Sequence, residues 1–246
     1  MLISAMVGID SRATMDIDTT LRNYPLNCES AEQIVRRIAD VEIDDKISFV
    51  IKKTEEIMED SEYQGVRLSL DAYLDKTRIP LKIDISTGDV ITPCEISFSY
   101  QLMFENRTIP LLAYPPETVL AEKLETILSR GEANTRLRDF YDVYILQRED
   151  FVVTPDALCH ALLATCRKRG HEDLLHTYAS ILDRVRQSGT MRTQWMKYQS
   201  DFDYAAGITW DTVLDTVETL CMKTLDDHAF GDELPQEESQ FEMHLL

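Results

Sequence analysis

Pro115 and Pro116 separate two hydrophobic periods, and no other feature of this sequence constrains its fold as strongly. Before them, apolar residues recur at every second position. The clearest stretch is VRLSLDAYL, with Val66, Leu68, Leu70, Ala72 and Leu74 on one side, the period of a strand with one buried face. After them the repeat is three to four. Leu120, Leu124, Ile127 and Leu128 form a stripe that ends at Arg130-Gly131. Proline favours the first helical turn, and Glu117 suits the positive end of the helix dipole. The chain therefore predicts an α+β fold, a mixed sheet with limited helical cover followed by a helical region.

The other runs fill in this plan. Strands are expected at 15–21, 47–51 (buried), 79–85, 96–104 and 109–113. One helix lies among them, at 30–39, with Ser30 as N-cap, Gln33 three residues on, and Ile34 and Ile38 sharing a face. Helices follow at 135–147, 155–169, 172–188 and 210–225. The organisation read from this is an α/β core at 1–114, a helical region at 115–225 and a tail at 226–246. The tail holds seven acidic residues and no Lys or Arg, the composition of a solvated, partly disordered end.

Charge narrows the function classes. With 25 Lys and Arg against 44 Asp and Glu, the net charge is −19, so any nucleic-acid site must be a local basic patch on an acidic body. The segment 160–199 is such a patch. Arg167, Lys168, Arg169, Arg184, Arg186, Arg192 and Lys197 stand against three acids, a net of +4. The same charges also read as solvated helix faces. Five scattered cysteines with no CxxC pair read as reduced thiols, and no HExxH or Cys/His cluster suggests zinc. No apolar run approaches the roughly 20 residues of a membrane helix, and residues 1–18 do not read as a secretion signal. The expectation is a cytoplasmic protein without membrane contact.

The strongest local chemistry is Asp16-Ile17-Asp18. On a strand, residues i and i+2 share a face, so two carboxylates stand side by side. They repel unless a cation bridges them or both reach water, and hard carboxylate oxygens suit Mg²⁺, with Mn²⁺ as alternative. A polar strand edge is the plainer reading. Lys82-Ile83-Asp84-Ile85 adds a third acid inside an apolar strand, where a charge needs a partner. Ser11-Arg12-Ala13-Thr14 precedes the pair. Arg12 suits a nucleotide phosphate or a salt bridge to a neighbouring acid. Ala121-Glu122-Lys123 follows Pro116, and Arg136, Arg138, Asp139 and Asp142 cluster on the next helix. There Asp139 and Asp142 are three apart and share a face, as a catalytic edge or as a salt-bridged surface.

Four stretches together, SRATMDIDTTL, LKIDISTGDVITP, YPPETVLAEKLETILSRG and NTRLRDFYDVYIL, resemble the AbiEii/AbiGii toxin family of nucleotidyltransferases, in the family's order over residues 1–148. The resemblance implies a nucleotidyltransferase core followed by a helical region, and a partner antitoxin. Some relatives, the MenT toxins, transfer nucleotides to the acceptor end of tRNA. By motif, Asp16 and Asp18 would be catalytic metal carboxylates, joined by Asp84. Lys123 would contact NTP phosphates, with Ser11, Arg12 and Thr14 in the nucleotide site. Asp139 would complete catalysis, and Arg136 and Asp142 would support it. The family's Gly-Gly or Gly-Ser turn before the DxD has no counterpart here. The expectation is that the true start lies upstream or that the phosphate loop is lost, leaving this form inactive.

The leading expectation is thus a metal-dependent nucleotidyltransferase toxin acting on an acceptor, with tRNA first among candidates. Its rivals are a non-catalytic module with a degenerate nucleotidyltransferase fold and a stand-alone enzyme such as an antibiotic-modifying transferase.

Overall fold

Strand-forming and helix-forming residues segregate along the chain as the two hydrophobic periods require. In the computed structural model, residues 2–226 are described apart from 9, 13, 15, 44, 59–63, 103, 104 and 149–152. The first part holds α1 (Leu2–Val7), β1 (Asp16–Leu21), α2 (Cys28–Ala39), β2 (Ile47–Met58), β3 (Gln64–Leu74), β4 (Thr77–Thr87), β5 (Ile96–Gln101) and β6 (Thr108–Ala113). The second holds α3 (Pro116–Arg130), α4 (Leu137–Arg148), α5 (Pro155–Lys168), α6 (Leu174–Gln187), α7 (Gly189–Asp201) and α8 (Trp210–Leu225).

The mixed sheet has the order β1-β4-β3-β2. β1 runs parallel to β4, and the other neighbours are antiparallel. α2 covers one face, burying Ala31 and Val35 against Val66, Leu68, Leu70 and Ile85. The opposite face turns Asp16, Asp18, Arg67 and Asp84 toward the helices. Rather than joining this sheet, β5 and β6 pair only with each other, so the single sheet expected from sequence is two.

Three local expectations change. The N-cap of α2 is Asn27. Its side chain accepts from the Ser30 backbone N–H at 2.8 Å, and Ser30 Oγ accepts from the Asn27 N–H at 3.0 Å. Ser30 is therefore the third residue of the box. The helix is turned so that Ala31 and Val35 meet the sheet, and Ile38 is 67 % exposed. The strand expected to be buried at 47–51 is the outer one. Ile47, Phe49 and Val50 are exposed, as are their neighbours Leu74 and Ile79, because this end of the sheet lies beyond helical cover. The strand expected at 96–104 ends at Gln101, and residues 103 and 104 lie outside the described residues, as do 227–246 of the tail.

α3 begins at Pro116 and ends at Gly131, whose φ of +50° suits a residue without a side chain. Two helices are additional to those expected, α1 and α7. The buried face of α7 is only Met191, Trp195 and Tyr198. The helical core gathers around Phe140, Trp195 and Trp210, with ring centroids 5.0 Å apart for Phe140–Trp210 and 5.8 Å for Trp195–Trp210. Ile3 of α1 belongs to this core, so the chain's start packs with the helices and then crosses back to β1. Among the described residues no helix is long and apolar enough to cross a membrane.

Candidate active site

The strand period and the register together lay a polar row along one face of β1 and β4. Asp16, Asp18 and Thr20 alternate inward on β1. Their partners on β4 are Lys82, Asp84 and Ser86. Asp84 finds the counter-charge that its apolar strand demands in Arg67, which faces it across the β3–β4 pair. Arg67 donates from Nε to Oδ1 at 2.7 Å and from Nη2 to Oδ2 at 2.6 Å. That hydrogen bonding, against the cost of burial and with help from Asp16 and Glu55, raises the Arg67 pKa above its ordinary value. Asp84 is thus engaged in a bidentate ion pair. Among the described residues no three His, Cys, Asp or Glu side chains form a metal-binding group. Asp16 and Asp18 still supply hard oxygens on one face and fit a divalent cation by donor chemistry. Asp84 fits only by releasing Arg67.

The helical wall faces this row. α3 and α4 are joined by a short turn and pack together, so Lys123 and Asp139 meet although 16 residues separate them. Lys123 Nζ stands 2.5 Å from Asp139 Oδ1 and 3.2 Å from Asp142 Oδ2. Arg12 reaches the same Asp142, with Nε 3.0 Å from Oδ1 and Nη2 3.1 Å from Oδ2. Burial opposes the Lys123 ammonium, but the Asp139 and Asp142 charges outweigh it, and its pKa is raised. The same balance with Asp142 raises Arg12. Asp139 Oδ2 is buried and has no hydrogen-bond partner among the described residues.

Of the two readings open for Arg12, the structure has the salt bridge, with the side chain buried. Ser11 enters through its backbone carbonyl, which accepts from Tyr141 Oη at 2.5 Å. Thr14 Oγ1 donates to the Asp16 carbonyl at 3.3 Å. Ser11 and Arg12 therefore fasten the crossing segment to α4, and Thr14 steadies the start of β1. Arg136 is exposed at the mouth of the site, its N–H donating to Asn134 Oδ1 at 2.7 Å.

Between the walls lies a cavity of about 810 Å³. Asp18, Asp84, Lys123, Asp139, Arg12 and Arg136 all line it. So do Lys168 and Arg169 at the end of α5, and Phe98, Tyr100 and Leu111 from the β5–β6 hairpin. Arg169 is ion-paired with the buried Glu125, which His171 Nδ1 also meets at 2.7 Å. The basic segment does not gather at this cavity as a whole. Arg167 pairs with Glu172 at 2.9 Å, Arg186 with Asp215 and Glu218 at 2.7 and 2.6 Å, and Arg192 with Asp211 at 2.8 Å. Most of its charge is neutralised by its own helical neighbours, which a charge sum over one segment cannot register.

One group went unnoticed in the sequence. Thr20, Ser86 and Tyr114 send hydroxyls to a single oxygen of Asp89, at 2.6, 2.6 and 2.8 Å from Oδ2. Thr20 also contacts Ser86 at 2.9 Å and Tyr114. Thr20 and Ser86 continue the i+2 pattern beyond Asp18 and Asp84, the signal that could have revealed them.

The family described as Nucleotidyl transferase AbiEii toxin, Type IV TA system, matches residues 1–216. No curated protein matches the chain. Two solved structures from Helicobacter pylori are similar at 13 % identity. One, provisionally described as a nucleotidyltransferase, has a TM-score of 0.39 over 91 % of this chain and 93 % of its own. The other, JHP933, has a TM-score of 0.37 over 91 % and 90 %.

Proposed function

The chain belongs to the AbiEii nucleotidyl transferase toxin family of type IV toxin–antitoxin systems, and from that premise we propose that it transfers a nucleotide from an NTP to an acceptor hydroxyl in the cavity between sheet and helices. The observation that carries this reading is Asp139. One oxygen holds Lys123, the other is buried with no hydrogen-bond partner among the described residues, and Asp139 lines the cavity that Asp18 also lines.

In the proposed reaction the acceptor hydroxyl attacks the α-phosphorus. A new O–P bond forms, the bond to pyrophosphate breaks, and the hydroxyl proton passes to the Asp139 carboxylate. Lys123 has three N–H donors. Two are directed to Asp139 and Asp142, leaving one for a phosphate oxygen. Because the two carboxylates hold it charged, it donates throughout the neutral range. Arg12 neutralises Asp142 and fixes the segment leading to Asp16, and it also lines the cavity. A divalent ion held by Asp16 and Asp18, Mg²⁺ or Mn²⁺, would supply charge neutralisation on the phosphates. The acceptor we favour is an RNA such as tRNA, approached past Lys168 and Arg136, and the site of action is the cytoplasm. The family implies an antitoxin as genetic partner.

The test is incubation with each labelled NTP, Mg²⁺ and total cellular RNA. Label should enter RNA, and Asp139→Asn should abolish it while the variant remains folded. Label that enters protein alone would reject the RNA acceptor, and no transfer with any NTP would reject the enzyme. A non-catalytic nucleotide-binding module is the second reading, favoured by the Arg67–Asp84 ion pair, which already neutralises one strand carboxylate. It predicts NTP binding without transfer in the same assay.

A further inference from the structure

The Asp89 group is a polar cluster on the cavity to which the proposed reaction gives no role. Four separate segments meet there. Thr20 is next to last in β1, Ser86 is next to last in β4, Asp89 lies in the connection to β5, and Tyr114 precedes α3. All three hydroxyl contacts fall on Oδ2, and no hydrogen bond from the described residues reaches Oδ1. A carboxylate held by one oxygen presents the other as a fixed acceptor. Its side chain lines the cavity.

Its charge and position say which part of a nucleotide it suits. An anion repels phosphate, and the cavity offers phosphate the cations Lys123 and Lys168 instead, while Arg169 lies within reach of the Asp89 charge. Thr20 and Ser86 lie two residues beyond Asp18 and Asp84, about 7 Å along the strands. That is the scale separating a nucleotide's ribose hydroxyls from its α-phosphate. Phe98 and Tyr100 line the same cavity and offer ring surface for a base.

We propose that Asp89 binds the ribose diol of the nucleotide and selects ribonucleotides over deoxyribonucleotides, with Thr20, Ser86 and Tyr114 as positioning residues that fix its carboxylate. This rests on the nucleotidyltransferase reading. A neutral hydroxyl donor meets a fixed carboxylate, so the discrimination is carried by one hydrogen bond to a charged group.

The experiment measures equilibrium binding of the four NTPs and their 2′-deoxy and 3′-deoxy counterparts to the full chain. The parent should prefer at least one ribonucleotide over a deoxy form by about tenfold or more, the effect of one charged hydrogen bond. Asp89→Asn should reduce that preference to about threefold or less by weakening ribonucleotide binding more than deoxynucleotide binding. Tyr114→Phe, which removes one support of Oδ2, should narrow it less. If Asp89→Asn does not fold, as judged by its circular dichroism, Tyr114→Phe decides, and an unchanged ribose preference there overturns the proposal. Nucleotides that bind without ribose discrimination, or a variant that alters base preference alone, overturn the assignment of Asp89 and leave the nucleotidyltransferase reading standing. If no nucleotide binds at all, that reading fails and takes this one with it.

Discussion

Asp142 and Asp139 sit one turn apart on α4 and share Lys123, yet their surroundings give them different tasks. Asp142 is wholly buried and satisfied by Arg12 and Lys123. Asp142→Asn should therefore cost about 3 kcal/mol of stability, the usual penalty for breaking a buried ion pair, measured by urea unfolding. A loss under about 1 kcal/mol would mean the network is not structural. Asp139→Asn keeps an oxygen for Lys123 but removes the nearest charge opposing its burial and the base as well, so it should cost about 1–3 kcal/mol of stability and, in protein that remains folded, cut transfer by about 10²–10⁴. The raised Lys123 pKa sets the pH window of this network. Its stabilisation is complete below the unfolded lysine value of about 10.4 and is lost only as pH rises through the higher folded value. Burial likewise pushes the Cys166 and Cys221 thiols up to about 12. At pH 8 a thiol reagent should label the exposed Cys94 quickly, and Cys166 and Cys221 only after unfolding. Rapid labelling of either in the folded protein would contradict their burial.

At the scale of elements, α5 and α6 carry similar basic residues to opposite ends. Lys168 lies on the cavity, whereas Arg186 faces the acids of α8. Lys168→Ala should weaken RNA binding and reduce the slope of log affinity against log salt by about 0.7–0.9. Arg186→Ala should leave that slope unchanged and slightly lower the melting temperature. Equal effects from the two would restore the whole basic segment as the RNA surface. This division is invisible in the sequence, because a helix's partner acids come from another helix. What is local is legible. The i, i+2 spacing puts Asp16 and Asp18 on one face, and Pro116 with Gly131 bounds α3. The meeting of Lys123 with Asp139 depends on how α3 packs on α4, and only the family resemblance anticipates it. α7 escapes notice because just Met191, Trp195 and Tyr198 mark its inner face. The detachment of β5 and β6 from the main sheet escapes for the same reason, since pairing partners are not encoded in a strand's own period.

For the molecule as a whole, the two parts differ in how much core they own. The sheet buries Ala31, Val35, Val66, Leu68, Leu70 and Ile85, whereas the helical core runs from Ile3 through Leu225. The cavity is built from both, so a nucleotide spanning it would touch Asp18 and Asp89 on one side and Lys123 on the other. Local opening follows core size, so amides of β1 and β4 should exchange with solvent faster than those of α3 and α4 in the free protein. A ligand that binds only the closed arrangement stabilises it by about 2.7 kcal/mol at a hundredfold excess over its dissociation constant. Adding the preferred NTP with Mg²⁺ should therefore slow exchange in β1, in β4 and in the segment holding Asp89. The outer strand β2 begins with exposed Ile47, Phe49 and Val50, none of which lines the cavity, and this first part of the strand should be unaffected. Hydrogen-exchange mass spectrometry on the full chain measures this directly. Protection confined to the first residues of β2, 47–50, or absent from β1 and β4 despite saturating nucleotide, would move the nucleotide out of this cavity and with it the roles proposed for Asp18 and Asp139.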